Sequence, residues 1–340
     1  MKNYRLYLFE LLFALLVIFA HTNFPSGELY FDSLGRTTVI FFFILSSYFY
    51  TKRLNKDDFS YKSTIKRCFR LLLIAGAVIV IYCSILIPVN WSNLGTPKII
   101  TEGFNWNNFQ ELWKFYIPKL SFLWFIIALI ICYLLYPLVY KIKWFKENKY
   151  SIFVPVAILV AAYIYRIFCN HYDWGFFSIY QITRNFLITG LPCFLIGSYI
   201  YHHESQFKKI NTIVFWLLFI LLIGTTMLEA IYHEATSNKP NEFYLSSISL
   251  AVLVLIYCIQ KPDTKFGEFC YHYLGSTGPT FIYLFHMLFV PLVGSLYNIN
   301  WGVLLIILIA DTCALLLGFI YNLLKVKVFK RSFNKIWKTT

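Results

Sequence analysis

Charge is what this chain most conspicuously lacks. Only 14% of its 340 residues are Asp, Glu, Lys or Arg, against about 25% in an ordinary soluble domain. Acidic residues are scarcer still, 16 against 30 basic ones. The eight cysteines form no C-x-x-C pair and most sit inside apolar runs, so free thiols are expected, with no metal site and no disulfide framework. There is no internal repeat and no low-complexity segment. These shortages exclude a disordered chain, a secreted disulfide scaffold and a cytosolic enzyme.

What is present is apolar surface: 59% hydrophobic residues, 21% of the chain being Phe, Trp or Tyr. Apolar stretches fall near 6–24, 35–51, 69–89, 121–140, 151–168, 185–201, 212–230, 243–260, 279–297 and 302–324. A membrane-crossing helix needs about 20 such residues. The expected fold is therefore all-α, a multi-pass membrane protein of about ten transmembrane helices. The first run follows a short basic start, as in a signal peptide, but lacks a small-residue cleavage site. It is read as an uncleaved first helix.

Orientation follows from the connecting segments. With the N-terminus cytoplasmic, 23 of the 30 Lys and Arg fall on the inner side and seven on the outer. That split predicts both termini in the cytoplasm. It also removes the need for a nucleic-acid partner to explain a net charge of +14: basic loops facing anionic lipid suffice. Residues 1–325 are expected to form the membrane domain and 326–340 a basic cytoplasmic tail.

Ionisable residues inside spans are costly, about 2.5–3.5 kcal/mol each on insertion scales, so each is a candidate for function. Glu10 and His21 lie in span 1, Arg36 opens span 2, Glu229 comes late in span 7, His286 lies in span 9 and Asp311 in span 10. Arg166 and Arg184 sit at the outer edge. Glu10 and His21 are eleven residues apart, which returns them to within about 20° of one another and separates them by about 16 Å along a helix. They form one polar stripe, although an interfacial His21 wetted at a helix end fits the same spacing. His286 has an alternative as a core histidine, Glu229 and Asp311 as interhelical glue, and Arg36 as a snorkelling side chain. Lys66, Arg67 and Arg70 share one helix face before span 3. Three cations there suit a polyphosphate ligand and suit lipid headgroups equally.

Five stretches together resemble the acyltransferase-3 family of integral-membrane acyltransferases over nearly the whole chain. They are LYLFELLFALLVIFAHTN, ending near His21; GRTTVIFFFILSSYFYTKR, opening with Arg36; LWFIIALIICYLLYP at 123–137; TRNFLITGLPCFLIGSYIY at 183–201; and LGSTGPTFIYLFHMLFVPLV at 274–293. The fourth is closest to a subgroup related to the membrane domains of racemases. The sequence departs from the family pattern at four places. Glu10 stands where the family usually has Arg or Lys, Ile40 replaces a common proline, Ser47 replaces a glycine, and the proline after the basic start of span 3 is missing.

The resemblance implies a plasma-membrane enzyme that moves an acyl group, often acetyl, from cytoplasmic acetyl-CoA to a hydroxyl of a cell-surface carbohydrate. It implies catalytic roles for His21, Glu10 and Arg36, donor binding by Lys66, Arg67 and Arg70, and acceptor contacts from Ser46, Arg184 and His286. Membrane lipid is the other expected partner, and no metal is required. A transporter or exporter on the same scaffold, without acyl transfer, is the alternative; a carboxylate such as Glu10 in a polar stripe suits proton coupling.

Overall fold

A computed structural model of the chain describes residues 2–19, 28–56, 61–90, 124–172, 184–237, 244–275 and 278–284, together with Thr312 and Leu316. Among them the fold is helical, without a strand. The helices are α1 (Tyr4–Phe19), α2 (Glu28–Lys56), α3 (Tyr61–Asn90), α4 (Trp124–Tyr140), α5 (Lys143–Glu147), α6 (Phe153–Tyr172), α7 (Leu191–His202), α8 (Thr212–Ser237), α9 (Leu245–Gln260) and α10 (Lys265–Leu274). Residues 278–284 are also helical. The basic tail, 326–340, lies outside the described residues.

The expected spans and the observed helices differ in extent. α2 runs for 29 residues, well beyond the apolar stretch 35–51. Ile40 explains part of this, since a proline there would remove a backbone donor and break the helix. Span 6 starts with a wide turn at Phe186–Gly190 before α7 begins. Asn185 closes that turn, its side-chain oxygen accepting from the backbone N–H groups of Leu187 (2.8 Å) and Ile188 (3.2 Å). The stretch Thr212–Ala235 of α8 is long and apolar enough on its own to cross a membrane. Most of its large side chains face outward, among them Trp216, Leu217, Ile220 and Leu221. An apolar exterior of this kind is expected where lipid is the solvent.

The chain divides into two compact units, residues 1–35 with 258–340, and residues 36–257. In the larger unit, α4 packs on α3 and α7. Phe43 meets Phe125 edge to face at 4.6 Å between ring centroids, and Tyr136 meets Phe194 at 5.2 Å. The crossing of α2 and α7 is tight. A Cβ added to Gly197 would fall 2.0 Å from the Ile44 carbonyl oxygen and 2.9 Å from the Ser47 Cβ. The Ser47 hydroxyl donates to the Phe194 carbonyl across this crossing. Small residues let membrane helices approach this closely, so serine keeps the small volume that a glycine would have provided.

In the smaller unit, α1 packs on α10. The Arg5 backbone N–H donates to the Pro262 carbonyl at 2.8 Å, and the Tyr7 hydroxyl to the Gly275 carbonyl at 2.7 Å. Asn3 ties the start of α1 to the Cys258 carbonyl at 2.7 Å. Cys68, Cys132, Cys193, Cys258 and Cys270 are buried free thiols.

Candidate functional site

The three cations of α3 take different directions. Lys66 and Arg70 are exposed, whereas Arg67 turns toward the helices. Its guanidinium lies 4.9 Å from the ring centroid of Tyr133 and 5.9 Å from that of Tyr50. One terminal nitrogen is enclosed and makes no hydrogen bond. Stacking on aromatic faces is a mode open to the planar guanidinium, which also retains its donors for an anion.

Tyr133 is the hinge of this cluster. It is 4% exposed, and its phenol lies beside Ser46. Its ring meets Tyr50 edge to face at 4.7 Å. The Tyr50 hydroxyl in turn shares a 2.6 Å hydrogen bond with the Thr64 hydroxyl, one turn before Arg67. Two of the residues singled out by sequence, Ser46 and Arg67, thus converge on a tyrosine that sequence reasoning missed. The signal was present: Tyr133, Tyr136 and Tyr140 lie at helical spacing on α4 in an otherwise apolar run.

The hydroxyl network continues along α4. Thr51 donates to the Tyr136 hydroxyl at 3.0 Å, and Tyr136 is paired with the Ser198 hydroxyl. Next comes a cavity of about 10 Å³, lined by Tyr136, Tyr140, Lys146, Ser151, Ser198 and Tyr199. That is room for a single water and not for an acyl donor. At its rim the Lys146 ammonium lies 3.5 Å from the Tyr140 ring centroid, and Tyr140 stacks against His202 at 5.9 Å. Lys146 lies in the connection after α4, where desolvation holds its pKa below the usual lysine range. His202, one residue past the apolar run 185–201, is pushed down to about 4, first by burial and then by the positive charges of Lys146 and His203.

The other sequence-derived candidates are placed separately. Arg36 lies ten residues before Ser46 on α2, about 15 Å along the axis, and is half-buried. Arg184 is half-buried in the turn before Asn185. Glu10 is half-buried on α1, in the unit that does not contain Ser46 and Arg67. His21, His286 and Asp311 lie outside the described residues.

A second polar cluster joins α6, α8 and α9. Arg166 is wholly buried. The Tyr163 hydroxyl and the His233 Nε2 are 2.8 Å apart. The Glu229 carboxylate accepts from the backbone N–H groups of Leu245 (2.9 Å) and Ser246 (3.1 Å). A carboxylate so placed satisfies orphan donors at a helix N-terminus and opposes the positive end of the helix dipole. Of the two readings open for Glu229, the structure assigns it the one of joining helices.

Comparison with known proteins gives this arrangement its class. A family model described as an acyltransferase domain matches residues 3–323. The chain belongs to the acyltransferase-3 family, whose members are integral to membranes. It is also similar to an amino-acid racemase of Enterococcus faecalis, 24% identical over 234 residues. That match covers 64% of this chain and 31% of the racemase, so the chain spans about a third of that relative's length. No solved structure matches.

Proposed function

We propose that this protein transfers an acyl group, acetyl in the simplest case, from cytoplasmic acyl-CoA to a hydroxyl of an extracytoplasmic cell-surface glycan. It is read as a plasma-membrane protein of about ten spans with both termini in the cytoplasm. The observation that carries the reading is Arg67 held on Tyr133 and Tyr50 with a donor to spare, in a chain matched to the family almost end to end. Lys66 and Arg70 are exposed beside it. Together they suit a polyanionic donor: Arg67 as a preorganised fork, the other two as mobile charges.

In this mechanism His21 accepts the proton of the acceptor hydroxyl as its oxygen attacks the thioester carbonyl. The C–S bond then breaks, and the coenzyme A thiolate leaves to be protonated. General-base assistance of this kind is worth about 10²–10⁴ in rate. Arg36 and the Ser46 hydroxyl are assigned to donors for the developing oxyanion, Arg184 and His286 to the acceptor, and Glu10 to orienting the stripe that leads to His21. No metal is assigned a role.

The test is transfer of labelled acetyl from acetyl-CoA in reconstituted membranes. Wild-type protein labels an envelope glycan and His21→Ala does not; equal labelling by both removes His21 from the mechanism. A second reading, transport of a small solute without acyl transfer, draws on the likeness to part of an amino-acid racemase. Solute uptake into vesicles that label no acceptor favours it.

A further inference from the structure

The short helix α10, between two apolar runs, presents three distinct faces. One packs on α1. A Cβ on Gly267 would lie 2.2 Å from the Tyr4 carbonyl oxygen, Cys270 is buried, and the Tyr271 ring meets those of Tyr4 and Tyr7 edge to face at 5.7 and 5.2 Å. A second face is polar, with Glu268 and His272 exposed one turn apart and 3.8 Å from each other. The third is aromatic: Phe266, Phe269 and Tyr273 are 62%, 55% and 60% exposed. Their spacing places these three within about 60° of one another. Phe269 and Tyr273 pack together at 4.5 Å, but nothing covers their outer side among the described residues.

The direction of α10 follows from where it touches α1. On the α1 side the contacts fall on Lys2, Tyr4, Arg5 and Tyr7, a rise of about 8 Å. On the other side they run from Pro262 through Gly267 and Tyr271 to Gly275, the whole length of a helix about 15 Å long. A helix that spends its full length crossing so short a stretch of its neighbour crosses it steeply. α1 leads into the bilayer, so its partner lies across the point where it enters.

We infer that α10 lies in the plane of the membrane–water interface, with Phe266, Phe269 and Tyr273 immersed in lipid and Glu268 and His272 in water. Aromatic side chains are favoured at this depth, and a helix with separate aromatic and polar faces is the form that occupies it. Lys2 and Lys261 border the helix and Lys265 opens it, and all three suit the anionic headgroups of a cytoplasmic leaflet. This inference rests on the membrane-spanning reading above and is independent of acyl transfer. Its consequence is to pin the cytoplasmic end of α1, the helix that ends two residues before His21 in the sequence.

The test places a photoreactive benzoylphenylalanine at one position at a time in the full chain. The protein is reconstituted in vesicles of phosphatidylethanolamine and phosphatidylglycerol. Position 217, outward-facing on α8, reports on the bilayer itself. Irradiation should give lipid adducts at 217, 266 and 269 and none at 272. Lipid adducts at 217 with peptide adducts or none at 269 overturn the interfacial placement, the peptide adducts pointing to a second protein copy on that face. Equal lipid adducts at 272 and 269 overturn the assigned faces. No lipid adduct at 217 overturns the membrane-spanning reading and this inference with it.

Discussion

The Arg67 guanidinium sits 4.9 Å above the ring of Tyr133, while the phenol of that same tyrosine lies beside Ser46. One residue of α4 therefore connects a cation of α3 with a hydroxyl of α2. Whatever binds at Arg67 is coupled through a buried ring to a position assigned to the reacting end of the donor.

This arrangement separates two contributions at Tyr133. Tyr133→Phe keeps the ring under Arg67 and loses only the hydroxyl beside Ser46. Acetyl-transfer kinetics should show a lowered kcat with KM for acetyl-CoA nearly unchanged. Arg67→Ala should raise that KM and lower kcat/KM by about tenfold or more, the loss of a charge-assisted contact worth 1.5–3 kcal/mol. Arg67→Lys should recover only part of it, since an ammonium lacks the planar fork. An unchanged KM in Arg67→Ala would remove it from the donor site.

At the α2–α7 crossing the constraint is steric. Gly197→Ala places a methyl group against the Ile44 carbonyl and should destabilise the protein by about 1–3 kcal/mol, the usual cost of overpacking. Ser47→Gly leaves the crossing open and should cost less. Thermal unfolding in detergent, followed by circular dichroism, checks the order.

Glu229 caps α9 through two backbone donors. Glu229→Ala should lower stability by about 0.5–2 kcal/mol, the range for a lost helix cap. Glu229→Gln, which keeps an acceptor oxygen, should restore much of it. If Gln and Ala are equally damaging, the carboxylate charge itself is needed.

His202 makes stability depend on pH. Its pKa falls to about 4 in the fold, against about 6.5 in an unfolded chain. Between those values the unfolded state binds more protons, so stability rises with pH. The contribution is present above about pH 6.5 and is lost as pH falls toward 4. The groups facing the ring are Lys146, His203, Tyr140 and Tyr201. His202→Gln should flatten the pH dependence of unfolding over this window, and Lys146→Gln should raise the histidine's pKa, read by the same titration.

Much of the architecture was legible from the residues alone. The scarcity of charge and the length of the apolar runs specify helices in lipid, because only structures that satisfy their own backbone hydrogen bonds persist there. The helical stretches 124–140, 191–202, 212–237 and 245–260 fall where apolar runs predict them. The boundaries of α2 and α3 were less legible. Both helices continue well past their apolar segments, held by contacts with other helices that a hydropathy pattern does not register. Glu10, Arg36 and Glu229 stood out for a simple reason, that an ionisable group in an apolar run is expensive, and Arg67 stood out as one of three cations on a helix face before an apolar run.

Cost alone does not say what each group meets. Lys66, Arg67 and Arg70 are equivalent on a helical face, and only packing turned Arg67 inward onto two tyrosines while leaving its neighbours exposed. Glu229 was selected by sequence and given its cap by the arrival of α9 some 16 residues later. Tyr133 was marked only by its helical spacing with Tyr136 and Tyr140, while His202 and the crosswise α10 carried no comparable signal, since ten residues with three faces read as a loop. Composition and periodicity determine that the chain forms helices in a membrane. Which side chains meet is decided by how those helices cross, because contacts between residues far apart in sequence leave no local pattern.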